Sequence, residues 1–160
     1  MFGFGKKEEV KIASPLDGKI IDITAVNDPV FADKMMGDGF AVVPSDGADT
    51  IVAPCDGKIM LVPDTRHAVA IAAGDSGKLE LLIHVGLDTA TLGGEGFTAL
   101  VSTGDSVKRG DALIKFDGAL LKSKGKDATT MIVITNGDDA VKSMTKNLNE
   151  KSSVLTVAVK

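Results

Sequence analysis

The chain has 160 residues, a formal charge of -4 and 44% hydrophobic side chains. That length supports one packed domain, and that composition excludes a disordered chain. No long basic run exists, which argues against nucleic acid as a partner, and no apolar run approaches the roughly 20 residues of a membrane span. Cys55 is the only cysteine, so neither a disulfide framework nor a cysteine-based zinc site can form within one chain.

Residues 1–11 read as an N-terminal tail and residues 12–160 as one domain. The start, Met1-Phe2-Gly3-Phe4-Gly5-Lys6-Lys7, is too short for a signal peptide, so the expected compartment is the cytoplasm. Its two Phe and two Lys could touch a membrane surface; a frayed terminus is the simpler reading. Ser14-Pro15-Leu16-Asp17-Gly18-Lys19-Ile20 then recurs as Ala53-Pro54-Cys55-Asp56-Gly57-Lys58-Ile59, 39 residues on. Each copy is a Pro-x-Asp-Gly turn feeding an apolar strand. Strands are predicted at Lys19–Ile23, Phe40–Val43, Thr50–Val52, Lys58–Val62, His67–Ala72, Leu79–Val85, Ala112–Asp117, Met131–Thr135 and Val154–Val159. Short helical turns are predicted after Asp28-Pro29 through Phe31–Lys34, over Gly118–Lys124 and over Asp138–Met144. Parallel sheets need long helical crossovers, which this chain lacks. The expected fold is all-β: an antiparallel β-sandwich, or flattened barrel, with a few short helical turns.

The two histidines stand in mirror positions about one turn. A hairpin centred between Asp75 and Ser76 pairs residues whose numbers sum to 151, which sets His67 opposite His84 with Cβ atoms roughly 5 Å apart. Glu80, Leu82 and His84 share one face of their strand, and 79, 81, 83 and 85 the other. Gly86 lets the backbone turn back, so its carbonyl can hold one ring nitrogen of His84 and leave the other free as a nucleophile. Thr65 precedes His67 by two positions and can orient the second imidazole. A zinc site is a weaker reading. Asp88 is the only nearby third ligand in sequence, and the two histidines would need a carboxylate from a partner to complete a site. No intrinsic metal and no cofactor is expected.

Two further features bear on function. Gly104-Asp105-Ser106-Val107-Lys108-Arg109-Gly110-Asp111-Ala112-Leu113 has a pattern found in biotin and lipoyl carrier domains, but Lys34 in Asp33-Lys34-Met35-Met36 lacks the flanks of a carrier lysine. Val30, Phe31, Met35 and Met36 carry more apolar bulk than a solvated loop needs. Adjacent Met residues face opposite ways on a strand, and their flexible side chains suit a surface that fits several partners. Asp33 and Asp38 lie close by and could meet basic groups.

Phe31–Gly39 (FADKMMGDG), Thr65–Ala68 (TRHA), Ile83–Thr89 (IHVGLDT) and Gly94–Phe97 (GEGF), in this order and with both Pro-x-Asp-Gly turns, resemble the glucose-type enzyme IIA of the bacterial phosphoenolpyruvate-dependent sugar phosphotransferase system. The resemblance covers residues 12 to 159. It implies that His84 accepts a phosphoryl group from the phosphocarrier protein HPr, on the nitrogen remote from the backbone. It implies that His67 assists with Thr65 as its orienting partner, that Gly86 and Asp88 support the motif, and that the group leaves to a cysteine of a sugar-specific EIIB domain. Two departures stand out. The hairpin between the histidines is two residues longer than usual, and Pro63-Asp64 replaces an aromatic pattern before the Thr. The competing readings are a biotin- or lipoyl-like carrier module and a regulatory protein of the same fold that transfers no phosphate.

Overall fold

The computed structural model describes residues 8–160, so Phe2, Phe4, Lys6 and Lys7, read above as a frayed terminus that could touch a membrane surface, lie outside the described residues. The strands are β1 (Glu9–Ile12), β2 (Gly18–Asp22), β3 (Asp38–Pro44), β4 (Thr50–Val52), β5 (Gly57–Leu61), β6 (Ala68–Ala73), β7 (Leu79–Val85), β8 (Phe97–Ala99), β9 (Ser106–Val107), β10 (Ala112–Phe116), β11 (Thr130–Ile134), β12 (Val141–Lys146) and β13 (Leu155–Val159). Three short helices, α1 (Pro29–Ala32), α2 (Gly118–Ser123) and α3 (Gly137–Ala140), and 3-10 turns at Ile23–Ala25 and Thr89–Leu92 complete the described elements. Every strand pairing is antiparallel. A seven-stranded sheet runs β2-β3-β11-β7-β6-β5-β9, and two three-stranded sheets run β1-β13-β12 and β4-β10-β8. The fold is the expected antiparallel sandwich, and its large sheet ends openly at β2 and β9 rather than closing on itself.

The Pro-x-Asp-Gly echo is structural. Gly18 and Gly57 open β2 and β5, and the carbonyl before each accepts an equivalent bond: Asp17 O from Ser45 N and Asp56 O from Gly74 N, both at 3.0 Å. Glycine is required at the crossing. A Cβ on Gly57 would lie 2.6 Å from the Ala72 carbonyl oxygen, and one on Gly18 would strike the Val43 carbonyl.

Three elements differ from the sequence expectation. β1 carries Glu9–Lys11 of the expected tail into pairing with β13, because Val10 and Ile12 alternate into the core while Glu9 and Lys11 stay exposed. Helix stops at Ala140, and Val141–Lys146 forms a strand on β13, so tertiary pairing overrides the helical signal of Asp138–Met144. The third concerns the histidine hairpin. β6 and β7 pair with numbers that sum to 152, not 151: Ala68 opposes His84 and Ala73 opposes Leu79. Ala73 stays in the strand because β5 also pairs with it, and the loop is Gly74–Lys78, with Gly74 and Gly77 at positive φ and Ser76 bound to the Glu8 carboxylate.

The main core lies between the sheets. Leu79, Leu81, Ile83 and Val85 of β7 are fully buried, together with Val69, Ile71, Ile132 and Phe40 of the neighbouring strands. At the edge of that inner face Lys146 of β12 bridges the layers, with Nζ 2.7 Å from Asp22 and 2.6 Å from Asp38, and donates to the Gly39 carbonyl at 2.9 Å. Burial works against the Asp22 carboxylate, but bonds from Lys146 and Thr24 outweigh it and bring its pKa down to about 2.

Candidate active site

The outer face of the large sheet carries the histidines. One cross-strand row reads Ala68, His84, Met131, Ala41 and Ile21 from β6 to β2. The polypeptide from Ile23 to Phe31 folds over this face, so Ile23, Val26, Phe31, Ala41, Met131 and Val133 form a second, smaller core with Ile21, Leu82 and Leu87 at its margin. Asp28 caps α1 by accepting from Val30 N at 2.9 Å, and Pro29 takes the first helical position. This places the buried Phe31 ring 5.2 Å from the His84 ring, centroid to centroid. His84 thus stands at the rim of an apolar platform.

Its own strand end fixes the ring. Gly86 adopts φ +82°, and its N–H donates to Thr129 O at 3.0 Å. A Cβ there would lie 2.9 Å from Asp127 O and would collide with the Thr89 methyl, so only glycine fits. Thr89 in turn donates to Val85 O at 2.5 Å. Held this way, the Gly86 carbonyl accepts a 2.9 Å bond from His84 Nδ1. A carbonyl can only accept, so Nδ1 carries the proton and Nε2 keeps its lone pair.

His67 comes from the other arm. It is buried, and Nδ1 lies 2.6 Å from the Thr65 hydroxyl. A hydroxyl both donates and accepts, so Thr65 can hold His67 in either tautomer. The two imidazoles meet edge to face, with centroids 4.7 Å apart. They meet even though the strand register opposes Ala68 to His84, because His67 lies on a bend just ahead of β6 and not in the strand itself. Burial lowers the pKa of His84, the adjacent His67 lowers it further, and the Gly86 bond and Asp28 oppose this only in part, leaving it at about 4. Burial also lowers that of His67. Both rings are neutral at pH 7, the form in which an imidazole is a nucleophile.

The remaining predicted residues divide. Val30, in α1, and Met35 and Met36, just after it, are exposed, Met35 most of all at 71%, while Phe31 is core to the platform. Asp33 is exposed at the end of α1. Asp38 departs from its expected role: its side chain turns to the inner face, where Lys146 takes it, and Lys34 approaches at 3.6 Å. Alternation along β3 explains this, since Asp38 shares the face of Phe40 and not that of Ala41. Asp88, the third metal ligand considered from sequence, is paired with Lys126 at 2.8 Å, and among the described residues no three His, Cys, Asp or Glu side chains gather as a metal site. A cavity of about 1030 Å³ between Ser45–Asp49 and Lys115–Ala119 includes neither histidine. The sequence reading missed Arg66 and Asp28 as neighbours of the site. It also missed the Ile23–Val26 cover, whose signal was the apolar pair flanking an otherwise polar turn.

Residues 10–140 match the family described as phosphoenolpyruvate-dependent sugar phosphotransferase system, EIIA 1. The PTS system glucose-specific EIIA component of Halalkalibacterium halodurans is 44% identical over 171 aligned positions, covering 99% of this chain and 96% of that one. The component of the same name from Bacillus cereus is 49% identical over 141 positions, covering 88% and 83%. The solved structure of glucose permease IIA from Mycoplasma capricolum superposes with a TM-score of 0.78 at 34% identity, covering 99% of both chains. These likenesses define a phosphoryl-transfer component of a sugar uptake system. The chain belongs to the EIIA 1 family of the phosphoenolpyruvate-dependent sugar phosphotransferase system. Among the described residues no helix is long and apolar enough to cross a membrane.

Proposed function

We propose that the chain is a phosphocarrier in which His84 Nε2 accepts a phosphoryl group from a phosphohistidine of HPr and passes it to a cysteine of a sugar-specific EIIB domain in the cytoplasm. The observation that carries this reading is the Nδ1–Gly86 bond on a neutral His84 whose ring meets a second imidazole. The Nε2 lone pair attacks phosphorus in line, the Nε2–P bond forms, and the donor N–P bond breaks with its electron pair returning to the donor ring. The ring then carries positive charge, which the Gly86 carbonyl stabilises through Nδ1–H. His67 donates a hydrogen bond to a phosphoryl oxygen, and Thr65 holds it in place. In the onward step the cysteine thiolate attacks the same phosphorus and His84 leaves as the neutral imidazole it began as. An open site on a sheet face, not a cavity, suits a donor and an acceptor that are themselves protein surfaces. Val30, Met35 and Met36 form the apolar rim of that contact, with Asp33 at its edge.

Intact mass after incubation with phosphoenolpyruvate, enzyme I and HPr tests the reading. A gain of one phosphate, lost again on adding the EIIB domain, is expected. No gain would leave a regulatory protein of the same fold, and a lipoyl or biotin adduct on the isolated protein would indicate a carrier module.

A further inference from the structure

In the observed register an extended residue 67 would oppose Val85, and the Val85 N–H does donate to His67 O at 2.7 Å. Regular strand geometry would therefore turn the His67 side chain toward the inner face with Val85, away from His84. Its ring nonetheless meets that of His84. The chain is re-aimed just before it. Pro63–Arg66 is a turn closed by Arg66 N to Pro63 O at 2.9 Å, and Arg66 holds φ +53°, a left-handed conformation unusual for a residue with a long side chain. Such a conformation persists where surrounding contacts over-determine it.

Those contacts come from the arginine's own side chain. Nε donates to Phe97 O at 3.3 Å and Nη2 to Gly94 O at 3.4 Å. Phe97 is buried and pairs with Phe116, so the anchor is tied to the core. Gly94 provides the seat: a Cβ there would lie 2.6 Å from Nη2. We propose that Arg66 is a positioning residue for His67, its forked guanidinium locking the left-handed turn that swings the second imidazole out of strand register and onto His84. The functional consequence rests on the assisting role given to His67 above.

The test compares Arg66→Gly and Arg66→Lys with the wild type. Glycine suits the left-handed φ and removes the anchor; lysine keeps the charge and loses the fork. Ring contacts between His67 and His84, and the ¹⁵N shifts of both rings, are read by NMR without any phosphate. Acceptance from HPr and onward transfer to EIIB are then timed separately. In Arg66→Gly the inter-ring contact is expected to vanish, with thermal stability held and onward transfer slowed on the order of tenfold or more, a larger loss than in acceptance. Arg66→Lys is expected to fall between. An inter-ring contact and ring shifts unchanged in Arg66→Gly would overturn the positioning role. Lost ring contact with onward transfer at the wild-type rate would support positioning by Arg66 and overturn the assisting role of His67.

Discussion

The two faces of the seven-stranded sheet do different work, and β7 shows both. Its inner residues Leu79, Leu81, Ile83 and Val85 are fully buried in a core that joins all three sheets. Its outer residues Glu80, Leu82 and His84 are half-buried: Leu82 and His84 lie against a cover of one 3-10 turn and one four-residue helix, and Glu80 meets Asn136 at the start of α3. The inner face fixes register through many contacts of large side chains. The outer face has only a small apolar cluster, and it leaves His84 at the rim. Stability and the proposed chemistry are thus separated by a single step along the chain, from Ile83 to His84.

The sharpest way to break this comparison is to change those two neighbours. His84→Ala is expected to abolish phosphoryl acceptance while shifting the melting temperature little. Ile83→Ala is expected to cost about 2–5 kcal/mol by emptying a core position, yet to accept phosphate once folded. Denaturation midpoints and acceptance assays on both variants check this; a large stability loss in His84→Ala would merge the two roles.

His67→Gln comes next. Gln can still donate a hydrogen bond to a phosphoryl oxygen, but its flexible amide lacks the fixed geometry that Thr65 gives the imidazole. Acceptance from HPr is expected to persist and onward transfer to slow by about 10²-fold, the low end of the range for one lost transition-state hydrogen bond. Both half-reactions at the wild-type rate in rapid-quench assays would make His67 a bystander.

The pH dependence of stability separates the faces again. His84 titrates at about 4 in the folded protein against about 6.5 unfolded, so between those values the unfolded chain binds more protons. Stability therefore rises with pH across that window and is lost as pH falls through it, with His67 acting in the same direction. Asp22, held at about 2, contributes stability present above its ordinary value near 3.8 and lost as pH falls toward 2. Urea titrations across pH are expected to show that His84→Ala reduces the slope in the upper window and leaves His67's share, while Asp22→Asn reduces the slope in the lower window. A variant that flattened both would contradict the assignment.

The smallest expected effect is at the rim. Met35 is 71% exposed. Met35→Asp is expected to weaken binding of HPr and EIIB several-fold, read by titration calorimetry, with stability within about 0.5 kcal/mol of wild type. A large loss of stability with unchanged affinity would place Met35 in the core.

Much of this arrangement was legible in the chain. Alternation in Leu79–Val85 gave the two faces of β7, and Thr65, Gly86 and the His pair gave the contacts that hold the rings. The one-residue shift of the hairpin was not legible, because it depends on β5 pairing with Ala73 and on Glu8, distant in sequence, binding Ser76. Asp38 was misplaced for the same kind of reason. Lys146 lies 108 residues away, and nothing local says which face of β3 it will meet. Arg66 escaped because its backbone strain and its carbonyl anchors exist only in three dimensions.

The most direct measurement is the position of the phosphate itself. Two-bond ¹H–¹⁵N correlation spectra of the protein phosphorylated through HPr, with ³¹P detection, identify the nitrogen that carries it. Phosphate on His84 Nε2, with Nδ1 still protonated and bonded to the Gly86 carbonyl, is the predicted result. Phosphate on His84 Nδ1, on His67 or on a hydroxyl would contradict it.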